Sequence, residues 1–342
     1  MVGRNRGGPG RRGCTMNPEV EYDVLGLGCV AIDDLLYVAS YPAADSKVQV
    51  RRRERQCGGL TATALVAAAR LGSRTAFAGV LGDDELSAFV FNRFREEGID
   101  ARYVRRRAEA RPIHSIIVVD ESTKTRTILY SLEGAFGAEP DWPDETVIRS
   151  ARVLFVDHFG VEGMTRAAEV ARRQGIPVVG DLERNDHPRF EGLMELVDHL
   201  IVSADFAARL TGADAPEEAA RRLGSGARQA AVVTCGARGC WYVGGDAPGA
   251  VRHQPAFAVE VVDTTGCGDV FHGAYASALA RGLDLPSRIR FASAAAAIKA
   301  TRRGGQAGIP TRPAVEQFLR ERCGSARAED ASHRFPNRAA KP

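Results

Sequence analysis

The stretch DTTGCGDVFHG at 263–273 carries the most chemistry in the sequence. Gly266 and Gly268 can take backbone conformations closed to other residues, which leaves successive amide N–H groups, that of Cys267 included, aimed at one point. The following run VFHGAYASALARG is helical, and the start of a helix adds roughly half a positive charge there. The product is an anion hole suited to phosphate. Asp269 falls in the first turn, where a carboxylate is electrostatically favoured and stays ionised. Beside a bound hydroxyl and an incoming phosphoryl group it can accept a proton. The plainer alternative is that Asp269 only caps the helix and the glycines only make a turn. Cys267 offers a third reading as a nucleophile, since thiol pKa falls at a helix N-terminus, but no His or Asn partner accompanies it by motif.

Such a turn needs a rigid frame, and the 342 residues supply one: 44% are hydrophobic and 26% charged, with 36 Gly and 16 Pro. This excludes collagen-like, disordered and mini-protein classes and fits one large α/β domain or two smaller ones. Strand-like runs at 22–28, 74–80, 152–156, 177–182, 199–202 and 230–234 alternate with helical patterns, which predicts a mainly parallel sheet flanked by helices. Glu85–Glu97 has Leu86, Phe89, Val90 and Phe94 at helical spacing, and Thr165–Arg173 repeats the pattern with alanines. Ser203 and Gly212 are suited to cap the two ends of a further helix. AVEVV at 258–262 reads as the strand feeding the glycine turn, while 47–55 and 113–131 read as hairpin-like strands of a small separate sheet.

The formal charge is +3, and residues 1–20 hold Arg4, Arg6, Arg11 and Arg12 against Glu19, so the remainder balances to zero. No nucleic-acid partner is expected, and Arg51–Arg53 and Arg105–Arg107 lack interleaved aromatics for base stacking. The charge-free stretch Gln56–Ala69 has 14 residues, short of what a membrane span needs. The basic N-terminus lacks the apolar run of a secretory signal, so no membrane and a cytoplasmic location are expected. Seven cysteines without C-x-x-C spacing fit reduced thiols better than disulfides or zinc. The ends, 1–20 and 323–342, read as disordered tails around a folded body at 21–322. Gly26, Gly28 and Ala31 fit a dinucleotide fingerprint, but VAIDDLLYVASYP after them looks extended, so pyrophosphate finds no helix end. Asp157 and His158 lie just past the strand RVLFV, where open α/β sheets bind ligands, and are expected to touch substrate. With His187 and His199 they form no metal-ligand spacing.

The pattern D-T-x-G-x-G-D between strand and helix resembles the second signature of the ribokinase (PfkB) sugar kinases. Gly58, Gly59 and LTATALVAAARLG resemble the first signature, and Gly82, Asp83 and Asp84 follow at the expected distance. TCGARGC at 234–240 resembles the nucleotide-side T-x-G-x-x-G, and FASAAAAIKATRRGGQAGIP at 291–310 resembles the segment that wraps adenine. The resemblance covers about residues 22–322. It implies a ribokinase-like three-layer α/β sandwich with a mainly parallel central sheet and a small β-sheet lid from about 42–56 and 113–131.

By the same resemblance, the γ-phosphoryl of ATP passes, as its Mg2+ complex, to a primary hydroxyl of a small sugar, with Asp269 as base and the 266–268 backbone as anion hole. The sugar would lie on Asp33, Gly58, Gly59 and Thr63, where the family commonly has Asn at the last position. The nucleotide would lie near Thr234, Gly236, Gly239 and Ser203, and a monovalent cation such as K+ near Asp263, Thr265, Lys299, Arg302 and Gly304. A homodimer through the lid would bury an apolar face of Ile116, Val118, Ile128 and Tyr130. The segment 253–274 with the GGQAGIP tail looks most similar to the sulfofructose kinases and their ketose-kinase neighbours. Lys47 matches a lysine of the sulfonate pocket, whereas the expected Asn and Arg fall on Ala108 and Phe159, so an uncharged ketose is favoured. A nucleoside kinase and a non-catalytic regulator are the alternatives.

Overall fold

Apolar strands alternating with amphipathic helices build a layered α/β body in the computed structural model, which describes residues 20–333 apart from 124, 225, 227 and 246. The chain begins with β1 (Tyr22–Leu27), β2 (Ala31–Val38), β3 (Arg52–Gly58), α1 (Leu60–Arg70), β4 (Thr75–Leu81), α2 (Glu85–Glu97) and β5 (Asp100–Arg106). It continues with β6 (Ile113–Asp120), β7 (Thr125–Ser131), α3 (Glu145–Arg149), β8 (Ala151–Val156), α4 (Val161–Arg173), β9 (Val178–Asp181), α5 (Phe190–Leu196) and β10 (His199–Ser203). It ends with α6 (Ala204–Thr211), α7 (Pro216–Leu223), β11 (Ala230–Thr234), β12 (Cys240–Gly244), β13 (Ala247–Gln254), α8 (Cys267–Ala280), α9 (Leu285–Ala300) and α10 (Arg312–His333). The large sheet has the order β13-β12-β11-β10-β9-β8-β1-β4-β5, parallel from β11 to β5. The period-two alternation of its strands sends Val24, Val153, Phe155, Val179 and Ile201 to one face under α1, α8 and α9. Leu25, Leu154, Val156, Val178 and Leu200 point the other way, under α4 to α7. Ser203 and Gly212 cap α6, the Ser203 hydroxyl accepting from the Phe206 amide.

The second sheet has the order β3-β2-β6-β7, with β2 parallel to β6 and the other pairs antiparallel. It is drawn from two excursions, β2–β3 after β1 and β6–β7 after β5. Because β4 lies on one side of β1 and β8 on the other, β1 marks the point where the strand order reverses, and a ligand crevice opens beyond the carboxyl ends of such strands. The small sheet leaves the body at that point.

Several expectations need correction. Residues 42–51 carry no strand, and β2 takes a central place in the small sheet because it has a partner along each edge. The AVEVV segment lies outside every ladder, with Val261 and Val262 59% and 51% exposed. It is tied to the body by an N–H of Val262 donated to Ala300 O and by Arg322, which donates to Ala258 O. The chain beyond 322 continues as helix to His333, while 1–19 and 334–342 lie outside the described residues. Other expectations stand: the segment after Gly26 and Gly28 is the strand β2, extended as expected, so the dinucleotide reading lacks its helix. Arg105, Arg106 and Arg107 pair with Glu139, Asp141 and Asp83, and Arg51–Arg53 with Glu121, Glu54 and Asp34, which leaves no open basic patch there. Among the described residues no helix is long and apolar enough to cross a membrane.

Candidate active site

Helix α8 packs beneath β1, β8 and β9 and begins at Gly266, whose φ of 73° lies in the left-handed region. A Cβ there would also come within 2.9 Å of Gly305 O, so backbone conformation and crowding both require glycine. The Cys267 amide is already spent on Thr264 O at 3.1 Å, which corrects the expectation of three donors and leaves the amides of Gly266 and Gly268 for an anion. A side-chain atom on Gly268 would meet nothing within 4 Å, so the space above the helix end is open. Cys267 Sγ turns away toward Ala296 O, and burial pushes its thiol pKa up, which argues against the nucleophile reading.

Asp269 stands in the first turn of α8, but its electrostatics differ from the helix-end expectation. Burial, followed by the negative charges of Asp181 and Glu183 and more weakly Asp33, holds its carboxyl well above the usual range against the opposing pull of His272. Asp181, the last residue of β9, and nearby Glu183 were not anticipated from sequence, because no spacing links them to 269. Asp181 is raised as well, by burial and then by Glu183 and Asp157. Its Oδ2 is buried without a hydrogen-bond partner, although His272 Nδ1 lies 3.3 Å away, since that nitrogen faces Gly268 O at 2.8 Å. His272 Nε2 meets Ile201 O at 3.0 Å, so the ring pins the first turn of α8 to β10.

On the lid, ladder pairing puts Gln56, Asp33, Ser115 and Tyr130 in one row across β3-β2-β6-β7. Gln56 Oε1 accepts from the Gly305 amide at 3.1 Å, so this face looks onto the body. Asp33 is raised by burial, offset by a bond from Ser115 and by the charges of His114 and Arg126. Arg126 on β7 reaches across the cleft, donating to Thr265 Oγ1 and lying 3.7 Å from Asp263 Oδ1. A Cβ on Gly58 would fall 2.6 Å from Asp33 Oδ2. Gly58→Ala is therefore expected to push the Asp33 carboxylate aside and, on the expectation that Asp33 holds the acceptor, to raise the acceptor KM on the order of 10- to 100-fold, with the melting temperature little changed. Steady-state kinetics and a thermal melt check this.

The other expected sugar contacts divide. Gly59 caps α1 with φ 92° directly beneath the β2 entry. Thr63 is buried and accepts a bond from Gln306 Nε2 at 3.2 Å, which takes it away from the cleft. Asp157 is fully buried, its oxygens taken by the amides of Cys29 and Phe159 at 2.7 Å and the Thr61 hydroxyl at 2.8 Å. Its position makes it a clasp between β8, the β1–β2 turn and α1 rather than a substrate contact. His158 stays at the cleft edge, its ring tilted against that of Phe159 and accepting from the Glu183 amide. Lys47 is exposed in the loop before β3.

Ser203 and Thr234 end neighbouring parallel strands at the same edge as Asp181, and the turn Gly236–Arg238 with Gly239 follows. Gly239 could bear no side chain, since its Cβ would meet Gln254 O at 2.0 Å. Asp263 does not present a vacant carboxylate to a cation, because Oδ1 and Oδ2 accept from the Thr265 and Gly304 amides at 2.8 Å. Lys299 Nζ donates to Asp263 O at 2.9 Å, and Arg302 is exposed. An ammonium repels a second cation at that carbonyl, which corrects the reading of Lys299 as a cation ligand.

Residues 27–312 match the model of the pfkB family carbohydrate kinases. A ribokinase of Haemophilus influenzae is 28% identical over 303 residues, covering 86% of this chain and 97% of its own length. A fructokinase-1 of Oryza sativa is 28% identical over 324 residues, covering 86% and 97%. A solved structure from Agrobacterium tumefaciens matches with TM-score 0.80 at 30% identity, covering 88% of this chain and 98% of its own. The Arabidopsis thaliana ribokinase complexed with ribose and ATP shares the fold, with TM-score 0.76 at 23% identity over 89% and 99% of the two chains. The matched span takes in both glycine signatures, the lid and the turn at 266–269, and the chain belongs to the pfkB family of carbohydrate kinases, a sugar phosphotransferase on the ribokinase-like fold.

Proposed function

We propose that the chain transfers the γ-phosphoryl group of ATP to a primary hydroxyl of a small sugar, a ketose or a related carbohydrate, in the cytoplasm. The observation that carries this reading is the convergence of two unspent amides, a helix N-terminus and Asp269 on an open space that Asp33 faces from the lid. Phosphoryl transfer depends mainly on alignment and on neutralising charge. The Gly266 and Gly268 amides hold the moving group, Asp33 and the Gly59 backbone fix the sugar for in-line attack, and Asp269 takes the hydroxyl proton. The lid excludes water that would compete as acceptor. The nucleotide lies along the strand ends of Ser203 and Thr234 and the Gly236–Gly239 turn.

Magnesium fits this site. The orphaned Asp181 Oδ2 beside Glu183 supplies hard oxygen donors, and no cluster of three or more His, Cys, Asp or Glu among the described residues forms a protein cage. That is the pattern for an ion carried mainly by phosphates and water. Asp181 and Glu183 would hold it, and its charge offsets that of the nucleotide phosphates.

A base acts only when ionised, so kcat/KM rises as pH passes through the pKa of Asp269. Burial is the first cause of that rise, ahead of the charges of Asp181 and Glu183 that Mg2+ would offset, so the acidic limb is expected above the ordinary carboxylate range, and a pH profile at saturating Mg2+ checks it. ADP release across ketoses, ribose, phosphosugars, sulfofructose and nucleosides tests the substrate. Activity on no sugar would overturn the reading and favour a regulator on the same fold. Tyr130, 60% exposed in the Asp33 row, supports a nucleoside as second choice because its ring can stack on a base. Lys47 supports sulfofructose only as a lone exposed charge.

A homodimer through the lid belongs to the same reading, with its apolar face redrawn. The register pairs Ile116 with Leu129 and Ile117 with Ile128, so Ile116 and Leu129 lie on the outer face and Ile128 and Tyr130 on the cleft face. The expected single face of Ile116, Val118, Ile128 and Tyr130 is therefore split. Ile116 and Leu129, 40% and 54% exposed, are the residues a second lid would cover.

A further inference from the structure

Lys299, one residue from the end of α9, is 0% exposed, which for a lysine demands a fixed partner. Its Nζ donates to the main-chain oxygen of Asp263 at 2.9 Å, directly behind the turn that carries Gly266. The carboxylate of the same Asp263 ties the Thr265 amide to the Gly304 amide, so one residue joins α9, the 304–305 loop and the turn. The charged and titratable groups acting on the ammonium are Cys267, Asp263 and Asp269 from the turn and Arg126 from the lid; burial lowers its pKa, and the three acidic groups oppose that. An ammonium and a potassium ion carry the same charge, and both take carbonyl oxygens as partners.

We infer that Lys299 is a built-in monovalent cation, a positioning residue whose ammonium braces the 263–266 turn from behind and lends it positive charge, so that catalysis needs no added potassium. This rests on the sugar-kinase reading for its kinetic part. Its thermal part does not. The Asp263 carbonyl is part of the turn, so losing the ammonium loosens the Gly266 and Gly268 donors without touching the sugar side. The defect therefore falls on kcat and on ATP rather than on the sugar KM.

The test compares wild type, Lys299→Met and Lys299→Arg in chloride salts of potassium, ammonium and tetramethylammonium. Wild type is expected to turn over within twofold in all three salts. K299M is expected to lose roughly 100-fold in kcat in tetramethylammonium with the sugar KM unchanged, and to regain at least tenfold in potassium or ammonium. Potassium is also expected to raise the melting temperature of K299M and not that of wild type. K299R, which keeps the charge, is expected to lose less than K299M. Potassium activation of wild type by severalfold overturns the inference, as does a folded K299M that keeps full kcat in tetramethylammonium or gains nothing from small cations. Should K299M fail to fold, the wild-type salt comparison decides. Inactivity of wild type in every salt on every sugar instead removes the kinase reading, and the thermal comparison still judges Lys299.

Discussion

Asp269→Asn is expected to lower kcat roughly 10²- to 10⁴-fold, the usual contribution of a positioned base, while the protein folds normally. The substitution keeps size and most packing and removes the proton acceptor. Its effect on stability has the opposite sign. Since the folded-state pKa of Asp269 is raised by burial and by Asp181, Glu183 and Asp33, the folded protein favours the neutral form. The stabilisation this gives is complete below the unfolded carboxyl pKa and is lost as pH climbs through the raised value, so the ionised group is a cost at neutral pH. The amide carries no charge, and the variant is expected to melt at or above the wild-type temperature at pH 7 to 8. Slow turnover with unchanged or improved stability separates a chemical role from a structural one. Near-normal turnover would refute the base assignment, and a large drop in melting temperature would show that Asp269 acts chiefly as a cap.

Asp33→Ala is expected to reduce kcat/KM for the sugar by about 10²- to 10⁴-fold. A carboxylate accepting two hydroxyl bonds contributes roughly 1.5–3 kcal/mol for each, and 1.4 kcal/mol is a factor of ten. The loss should concentrate in the sugar KM with ATP affinity nearly unchanged, because Asp33 belongs to the lid and the phosphate donors to the body. Wild-type and variant titrations with a nonhydrolysable ATP analogue, beside sugar kinetics, check both halves. A variant that weakens ATP as much as sugar would place Asp33 elsewhere in the mechanism.

What the sequence reveals about this site is local. The turn at 266–269 can be read because glycine spacing, the helix behind it and the acid in its first turn are contiguous, and the alternating apolar runs locate the parallel strands that frame it. The groups missed are those brought in by the fold. Asp181 and Glu183 reach Asp269 across a sequence gap that no periodicity marks, and Arg126 reaches Thr265 only because the lid leans over the body. Sequence does not settle the place of Asp157, because a strand end can deliver a carboxylate either to the crevice or to the backbone beside it, and only the pairing of Cys29 and Thr61 decides. The lid face is hidden from sequence for a similar reason: residues two apart share a face within a strand, but the register across β6 and β7 is set by their turn.

The division of labour between the two sheets bears on how such an enzyme can change its diet. On the proposed reading, the acceptor lies between a four-stranded sheet that shares no strand with the nine-stranded one beneath it and the Gly59 and Asp269 positions of the body, while the phosphate donors belong to the body alone. Mutation in the small sheet can therefore explore new acceptors while the phosphoryl-handling parts stay under unchanged selection, provided that Arg126 and Gln56 keep the two sheets in contact. On that reading, a lineage built this way can swap one sugar for another by editing the small sheet.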